Sequence, residues 1–309
     1  MRIKARRWSR LCTAAMIGAR PAHVLIAGLL LVSFPSFAAD DMESRLATAQ
    51  AALDRHDDEL AIRLYTDIIS TAAAPNDLSA FAHNCRGIAY NDEGRYALAL
   101  EDFDAAIKLR PGYAEAFNNK GIAHRALGRL DDALADYSAA LGIRPHFAEA
   151  LGNRGNVYRD KGDFDRAMAD FDTAILLDPD YAEAYNNRGT AFELQQQYGR
   201  AVSDFSAAIA LNPAYAEAYF NRGNAFGNLK RMDDAIADFS QAIRIKPNFP
   251  EAYFYRGNAH AAKREIELAI ADYDAALRLK PDFAQAFYNR AFLKAELRRA
   301  AVQARLGFP

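Results

Sequence analysis

Residues 114–147, AEAFNNKGIAHRALGRLDDALADYSAALGIRPHF, form one unit of a repeat that runs through most of this 309-residue chain. The repeat is clearest in a set of prolines that return at one constant interval, without an insertion or a deletion. Columns of glycine, alanine and aromatic residues keep the same spacing. Because such a period does not arise by chance, it decides the architecture before any other feature. The prolines are Pro111, Pro145, Pro179, Pro213, Pro247 and Pro281.

Each repeat is predicted to contain two helices. Apolar residues recur at helical spacing over residues 117–126 and again over residues 133–143. Gly128 lies between the two runs, where a tight turn favours a residue that adopts positive φ. Pro145 ends the second helix because it cannot continue the hydrogen-bond ladder. Gly121 is predicted to be small so that the two helix backbones can approach closely.

Two further patterns concern how the helices are joined. Asp180-Tyr181-Ala182-Glu183 predicts a capping arrangement, in which an acidic side chain and a glutamate three residues later satisfy free helix amides. A basic residue precedes the glycine in every repeat, and an aspartate recurs in every second helix. We expect these two columns to form ion pairs, as Arg188 would with Asp204.

The repeat resembles a known family, the tetratricopeptide repeat. The resemblance implies an all-α, right-handed superhelical solenoid of helix-turn-helix repeats, whose first helices line a concave groove. Two departures are that tryptophan never fills the first aromatic column and that a basic residue replaces the usual leucine before the glycine. The matching positions, with their counterparts across residues 80–283, are Phe117, Gly121, His124, Ala133, Tyr137, Ala140 and Pro145.

The repeats divide the chain into segments. Residues 77–283 hold six contiguous 34-residue repeats. Residues 39–76 are predicted to be a divergent first repeat with a longer connection, and residues 284–309 a capping helix and tail. The expected architecture is therefore about seven repeats followed by one C-terminal helix. A terminal helix must present a polar outer face because nothing stacks on it.

The N-terminal 38 residues read as an export signal. Basic residues without an acid precede an apolar run over residues 24–32, and small residues follow it up to Ala38. We predict cleavage after Ala38, no stable membrane span afterwards, and a periplasmic or secreted protein. The alternative is an uncleaved anchor, but Pro35 interrupts the run well before the roughly 20 apolar residues of a spanning helix.

Charge and motifs exclude several functions. Removing the six basic residues of the leader from the chain's 38 leaves 32 against 40 acidic residues, and the remaining basic residues alternate with acids. Nucleic acid is therefore not expected as a partner. The sequence lacks phosphate-binding loops, nucleophile elbows and zinc motifs. We expect no enzyme activity, no catalytic residue, no cofactor and no metal.

The first helices carry asparagines at interior positions, where asparagine is a poor helix former. An amide offers one donor group and one acceptor, which matches the backbone of an extended peptide. The column resembles the groove asparagines of peptide-binding tetratricopeptide domains. The alternative is that these asparagines bond only to neighbouring helices. The candidate peptide-binding residues are Asn119, Asn153, Asn187, Asn221 and Asn289, with Asn156, Asn224 and Asn258 three residues further along.

Aromatic residues replace amides in these columns toward the C-terminus. Grouped aromatics on a binding surface are frequent hot spots, although these residues could equally pack beneath the C-terminal helix. The aromatic candidates are Phe220, Phe254, Tyr255 and Tyr288.

The sequence as a whole predicts a non-catalytic adaptor that binds an extended segment of a partner protein in the groove. One alternative is an envelope scaffold that self-associates as a homo-oligomer. Another is an accessory subunit of an enzyme encoded on a separate chain. Protein or peptide segments are the expected partners in every case.

Overall fold

The protein is an all-α repeat solenoid, as the 34-residue period predicts. A computed structural model describes residues 36–71 and 75–306, and these residues contain helices and no strand. The helices are α1 (Ser36–Asp54), α2 (Asp58–Ile69), α3 (Asn76–Asp92), α4 (Tyr96–Leu109), α5 (Ala114–Ala126), α6 (Leu130–Ile143), α7 (Ala148–Asp160), α8 (Phe164–Leu177), α9 (Ala182–Leu194), α10 (Tyr198–Leu211), α11 (Ala216–Asn228), α12 (Met232–Ile245), α13 (Pro250–Ala262), α14 (Ile266–Leu279) and α15 (Ala284–Leu306).

The helices follow the repeat closely. From α5 to α14 the first helix of each repeat has 13 residues and the second has 14. The chain divides into two compact units, one ending at Gly162 and the other beginning at Asp163. Within each unit, consecutive helices pack against one another.

The predicted leader falls largely outside the described residues. Only its last three residues are described, and they begin α1. Cleavage after Ala38 therefore stays a prediction. None of the described helices has the length and apolar character needed to cross a membrane.

In the repeats of Gly87, Gly121, Gly189, Gly223 and Gly257, an aromatic ring of the second helix packs against the glycine of the first helix. A Cβ atom built on Gly121 would lie 2.8 Å from Cε1 of the buried Tyr137, and one on Gly189 would lie 2.8 Å from Cε1 of Phe205. Real Cβ atoms do not approach so closely. The glycine therefore admits the aromatic ring of the second helix; the contact that requires a small residue here is with this ring and not, as the sequence predicted, with the backbone of the second helix.

The turn between paired helices uses the left-handed backbone conformation. Gly128 has φ +73°, as expected from its position. Gly162 in the next repeat has φ +79°, and the equivalent positions of the three repeats after it are Gln196, Lys230 and Arg264, with φ values of 59°, 62° and 63°. These three residues adopt a conformation that is unfavourable for a residue with a Cβ atom.

The predicted capping arrangement at α9 is wrong. The residue at the N-cap of α9 is Tyr181, and it makes no side-chain cap hydrogen bond. The side chain of Tyr181 is buried. Because tyrosine, and not Asp180, occupies the N-cap, no carboxylate at that position accepts from the free helix amides. In other repeats the equivalent glutamates pair instead with a basic residue after the second helix. Arg144 Nη1 lies 2.8 Å from Glu115 Oε1, and Lys246 Nζ lies 2.9 Å from Glu217 Oε1.

Candidate functional site

The predicted asparagines lie on the first helices, and most of them reach the surface. We call the half-buried members of the second unit the amide face. It consists of Asn187 on α9, Asn221 and Asn224 on α11, Asn258 on α13 and Asn289 on α15. Asn153 on α7 of the first unit is also half-buried and is described by itself.

Three of the sequence candidates do not lie on the surface. Asn119 is 0% exposed, and Asn156 and Phe254 are each 8% exposed. Asn119 donates from Nδ2 to Oδ1 of the buried Asn84 at 3.0 Å, so it joins two helices in the interior. These three residues are buried in the described structure, so we do not include them in the surface discussed below; their role in peptide binding stays a prediction.

Hydrogen bonds between successive repeats satisfy part of the amide group of Asn153 in the first unit and of Asn221 in the amide face. Asn153 Nδ2 donates to Asn118 Oδ1 at 3.0 Å, and Asn221 Nδ2 donates to Asn186 Oδ1 at the same distance. Each bond spans 35 residues and joins the first helices of successive repeats. The alternative that these asparagines bond to neighbouring helices is therefore correct for the NH2 groups of Asn153 and Asn221.

Asn289 follows a different pattern because the residue in the expected acceptor column is Phe254. Its Nδ2 donates instead to Asn258 Oδ1 at 3.0 Å, and the hydroxyl of Tyr273 donates to the same oxygen at 2.7 Å. Because phenylalanine stands at position 254, the hydrogen bond of Asn289 is made with Asn258, one helical turn further along α13.

The acceptor half of the amides is left unused. Within the described residues, the Oδ1 atoms of Asn153, Asn221 and Asn289 accept no hydrogen bond. Asn187 makes no side-chain hydrogen bond to any described residue. The amide face therefore presents half-buried carbonyl oxygens, which suit the N–H groups of an extended peptide.

Aromatic residues form a cluster beside the amides of the second unit. The ring of Phe220 lies 4.9 Å from that of Phe249 and 5.6 Å from that of Tyr255. Phe254 packs 4.8 Å from Phe283, inside the cluster. Tyr255 is 41% exposed, so the cluster combines packing with an accessible ring.

Ion pairs fix the helices that carry the amide face. Arg188 Nε and Nη2 donate to the two carboxylate oxygens of Asp204 at 2.7 and 2.8 Å, which confirms the predicted pairing within a repeat. This bidentate hydrogen bonding holds the pKa of Arg188 above its usual range. The third nitrogen, Nη1, reaches Asp172 Oδ1 at 2.6 Å in the preceding second helix.

We call an arginine that bonds both the aspartate of its own repeat and a side chain of the preceding second helix an arginine joint. This joint recurs in other repeats with a different acceptor in the preceding helix. Arg222 pairs with Asp238 and donates from Nη1 to Ser206 Oγ at 3.0 Å, while Arg256 pairs with Asp272 and donates to Ser240 Oγ at 3.0 Å. The sequence did not reveal this second bond, although an oxygen-bearing side chain 16 residues before each arginine was its signal.

One repeat carries lysine in place of the arginine. Lys120 lies 2.8 Å from Asp104 and 3.7 Å from Asp136, and His124 Nδ1 lies 2.6 Å from the same Asp136. A cavity of about 360 Å³ beside Lys120 is lined by these groups and by Arg129.

Side chains with metal-ligand spacing occur once among the described residues. His56, Asp58 and Asp92 each place a ligand atom within 4.8 Å of the others. Burial and the charge of Asp58 raise the pKa of Asp92 to about 7. Acidic groups at a surface commonly adopt this spacing without a metal, so we assign none to it.

Comparison with protein-family models gives matches over most of the repeat region. A model described as TPR repeat matches residues 155–196, 194–230 and 257–297. Models described as tetratricopeptide repeat match residues 216–249 and 86–146. No curated protein matches the sequence.

Solved structures share the fold. A tetratricopeptide repeat protein from Parabacteroides merdae is 20% identical, with 82% of this chain and 99% of that chain covered at a TM-score of 0.62. The APC/C hetero-tetramer Cut9-Hcn1 is 17% identical, with coverages of 81% and 55% at a TM-score of 0.63. YrrB, described as a TPR protein with an unusual peptide-binding site, is 26% identical over 62% of this chain and 99% of its own, with a TM-score of 0.49.

Proposed function

The chain belongs to the tetratricopeptide repeat family of protein-interaction scaffolds, and from this premise we propose that it is a non-catalytic adaptor that binds an extended segment of a partner protein on its amide face. The observation that carries the proposal is the set of half-buried Oδ1 atoms with no partner among the described residues. An extended peptide supplies the N–H donors that these oxygens lack.

The proposed contact uses amides that are already oriented. Asn221 and Asn289 are each held by a donor bond to another first helix, so their carbonyl oxygens point in a fixed direction when a peptide arrives. Preorganisation of this kind lowers the entropy cost of binding. Each hydrogen bond contributes only about 0.5–1.5 kcal/mol, so several must act together.

Specificity for particular side chains is proposed to come from the aromatic cluster. Tyr255 is exposed, and its ring contacts Phe220 and Phe254 at centroid distances of 5.6 and 5.2 Å. A rigid, supported ring at the surface favours an apolar side chain of the partner. The asparagines would therefore bind the backbone of the partner segment, and the aromatic cluster would determine which of its side chains lies at Tyr255.

A triple substitution tests the amide face. Changing Asn187, Asn221 and Asn289 together to alanine is expected to weaken binding of a captured partner segment by about ten- to a thousandfold, because up to three bonds are lost. The partner is first captured on the wild-type chain and identified by mass spectrometry. Calorimetry with a synthetic peptide from it then measures the dissociation constant. An unchanged constant would refute the amide face as the binding site.

Single substitutions separate binding from folding. Asn187→Ala removes no hydrogen bond within the described residues, so it is expected to weaken binding without lowering the unfolding midpoint. Asn228→Ala changes an exposed asparagine outside the amide face and serves as the matched control. Equal loss of affinity in both variants would contradict the proposal.

We also propose that the adaptor works outside the cytoplasm, after removal of residues 1–38. The support is the basic, apolar and small-residue pattern of that segment. N-terminal sequencing of the protein purified from a periplasmic fraction should begin at Ala39. Recovery of the intact N-terminus from the cytoplasmic fraction would rule out export.

A further inference from the structure

Glu193, near the end of α9, carries a carboxylate that no described residue neutralises. Its side chain is half-buried and makes no hydrogen bond or ion pair with a described residue. Burial alone raises its pKa to about 7, and no neighbouring charge contributes to this shift. A half-buried carboxylate is costly unless a positive charge accompanies it. The second unit therefore holds a negative charge that lacks a partner among the described residues.

Glu193 lies beside the amide face. On α9 it stands seven residues, or about two helical turns, after Asn186, so the two side chains leave the same side of the helix. Asn186 accepts the amide hydrogen bond of Asn221, a member of the amide face on α11. Glu193 therefore lies on the side of α9 that faces α11, about 10 Å further along the same contact.

The first unit shows what a carboxylate binds at this kind of contact. Residues 35 apart on α5 and α7 meet twice, first as Asn118 with Asn153 and then, two turns further, as Arg125 with Asp160. Nε and Nη2 of Arg125 both donate to Asp160 Oδ2, at 3.0 and 2.5 Å. The contact beyond the asparagine pair is thus an ion pair between a guanidinium and a carboxylate.

The second unit has the carboxylate at the equivalent contact without the guanidinium. The residues two turns beyond Asn186 and Asn221 are Glu193 and Asn228, so the acid here is on the earlier of the two helices. Asn228 is exposed, uncharged and makes no side-chain hydrogen bond with a described residue. A Cβ atom built on the adjacent Gly227 would meet nothing within 4 Å, so there is open space for an incoming side chain.

We propose that Glu193 binds a basic side chain of the partner segment, with arginine preferred over lysine. The inference rests on the proposed adaptor function and adds to it one requirement, a basic residue in the partner. The amide face would bind the backbone of the segment, and the basic side chain would enter beside Gly227 and reach the carboxylate. Arginine is preferred because its planar guanidinium donates two parallel hydrogen bonds to one carboxylate.

A synthetic peptide library tests this preference. The probes are pools of short, end-capped, fluorescently labelled peptides whose central residue is fixed as arginine, citrulline or glutamate, with the other positions randomised. Citrulline keeps the shape of arginine and lacks its charge. The variants are Glu193→Gln and Glu193→Lys, and Glu267→Gln, at an exposed glutamate on α14, is the matched control. Circular dichroism checks that each variant folds, and fluorescence anisotropy measures the apparent dissociation constants.

The wild type and the Glu267→Gln control should bind the arginine pool at least about tenfold more tightly than the citrulline pool. Glu193→Gln should bind these two pools equally, and Glu193→Lys should prefer the glutamate pool. A wild type without a preference for arginine, or a preference that Glu193→Gln retains, would overturn the inference and leave the adaptor function standing.

The amide-face variant separates the inference from the function on which it rests. With Asn187, Asn221 and Asn289 all changed to alanine, the chain should bind every pool more weakly and still prefer arginine. If this variant binds all pools as tightly as the wild type, the amide face is refuted, and with it the position proposed here for the partner. A wild type that binds no pool would overturn both proposals.

Discussion

At the residue scale, this fold depends on the glycines of the first helices, where the absence of a Cβ atom makes room for an aromatic ring. The glycines at positions such as 121 and 189 leave room for the ring of the second helix, and the alanines of the second-helix column, such as Ala133 and Ala201, are fully buried. Protein interiors are packed closely enough that an added methyl group must displace something. The exposed surface of the same helices tolerates much more.

Gly189→Ala tests this packing. The added Cβ would meet Phe205 Cε1 at 2.8 Å, so we expect the free energy of unfolding to fall by about 1–3 kcal/mol. Gly199→Ala is the control, because nothing lies within 4 Å of its added Cβ. Urea unfolding followed by circular dichroism measures both variants. Equal stability of the two would refute the close-contact interpretation.

Glu193 gives a pH-dependent prediction. Burial raises its pKa to about 7 from an ordinary value of 4.5, and its carboxylate has no hydrogen bond or ion pair among the described residues. Between these two pH values the folded state keeps a proton that the unfolded state has lost. Stability contributed by this group is therefore present below about pH 4.5 and is lost as the pH rises to 7.

Glu193→Gln removes this dependence. The variant should match the wild type near pH 4 and exceed its free energy of unfolding by about 1–2 kcal/mol at pH 8. Glu296→Gln, at an exposed glutamate on α15, should show no such divergence. Parallel unfolding curves at all pH values would show that Glu193 is solvated in the folded protein.

The sequence identified the asparagine columns but could not sort their members. Asn119 and Asn153 stand at the same repeat position, yet the first is buried and the second is half-buried. Their exposure depends on which side chains of neighbouring helices cover them, and no pattern within one repeat encodes that. The direction of each amide likewise depends on whether residue 118 or 186 offers an oxygen or residue 254 offers a ring.

At the element scale, the helices are joined by arginines that each contact two second helices. The spacing of basic and acidic columns was enough to predict the pair within a repeat, because both columns persist in every unit. The capping prediction failed at α9 because the aromatic residue, and not the aspartate before it, stands at the N-cap. The sequence pattern therefore predicted the ion pairs that recur in every repeat better than the residue at which a helix begins.

Exchanging charges tests the joint. Arg188→Glu and Asp204→Arg should each destabilise the protein by about 2–4 kcal/mol, because each leaves like charges together at a half-buried site. The double variant should recover part of this loss. Recovery will be incomplete, since Arg188 also binds Asp172. A double variant no more stable than either single variant would contradict direct pairing.

At the scale of the whole molecule, the constant period of the repeat was sufficient for the fold class, because each repeat contacts only its neighbours in sequence. The ends were harder to predict. The exposed rings of Phe287, Tyr288 and Phe292 on α15 depend on the absence of a covering helix among the described residues, which a repeat pattern does not specify.

Removing one whole repeat should leave a folded protein. Deleting Ala182–Tyr215 takes out one complete period of the sequence and joins Tyr181 to Ala216, which keeps every later column in register. The shortened chain should unfold cooperatively in circular dichroism, with proportionally less helical signal. Deleting only Ala182–Gln197, which removes α9 and leaves α10 without its pair, should give a chain that aggregates or unfolds at a much lower temperature.

The arginine joint also bears on how such a chain can change over generations. Arg188, Arg222 and Arg256 each find an oxygen-bearing side chain at the same place in the preceding second helix, whether it is a carboxylate or a hydroxyl. Any of these units therefore carries both halves of the connection to its neighbours. Unequal recombination between the coding copies could add or remove a complete unit without leaving an unpaired charge at the seam.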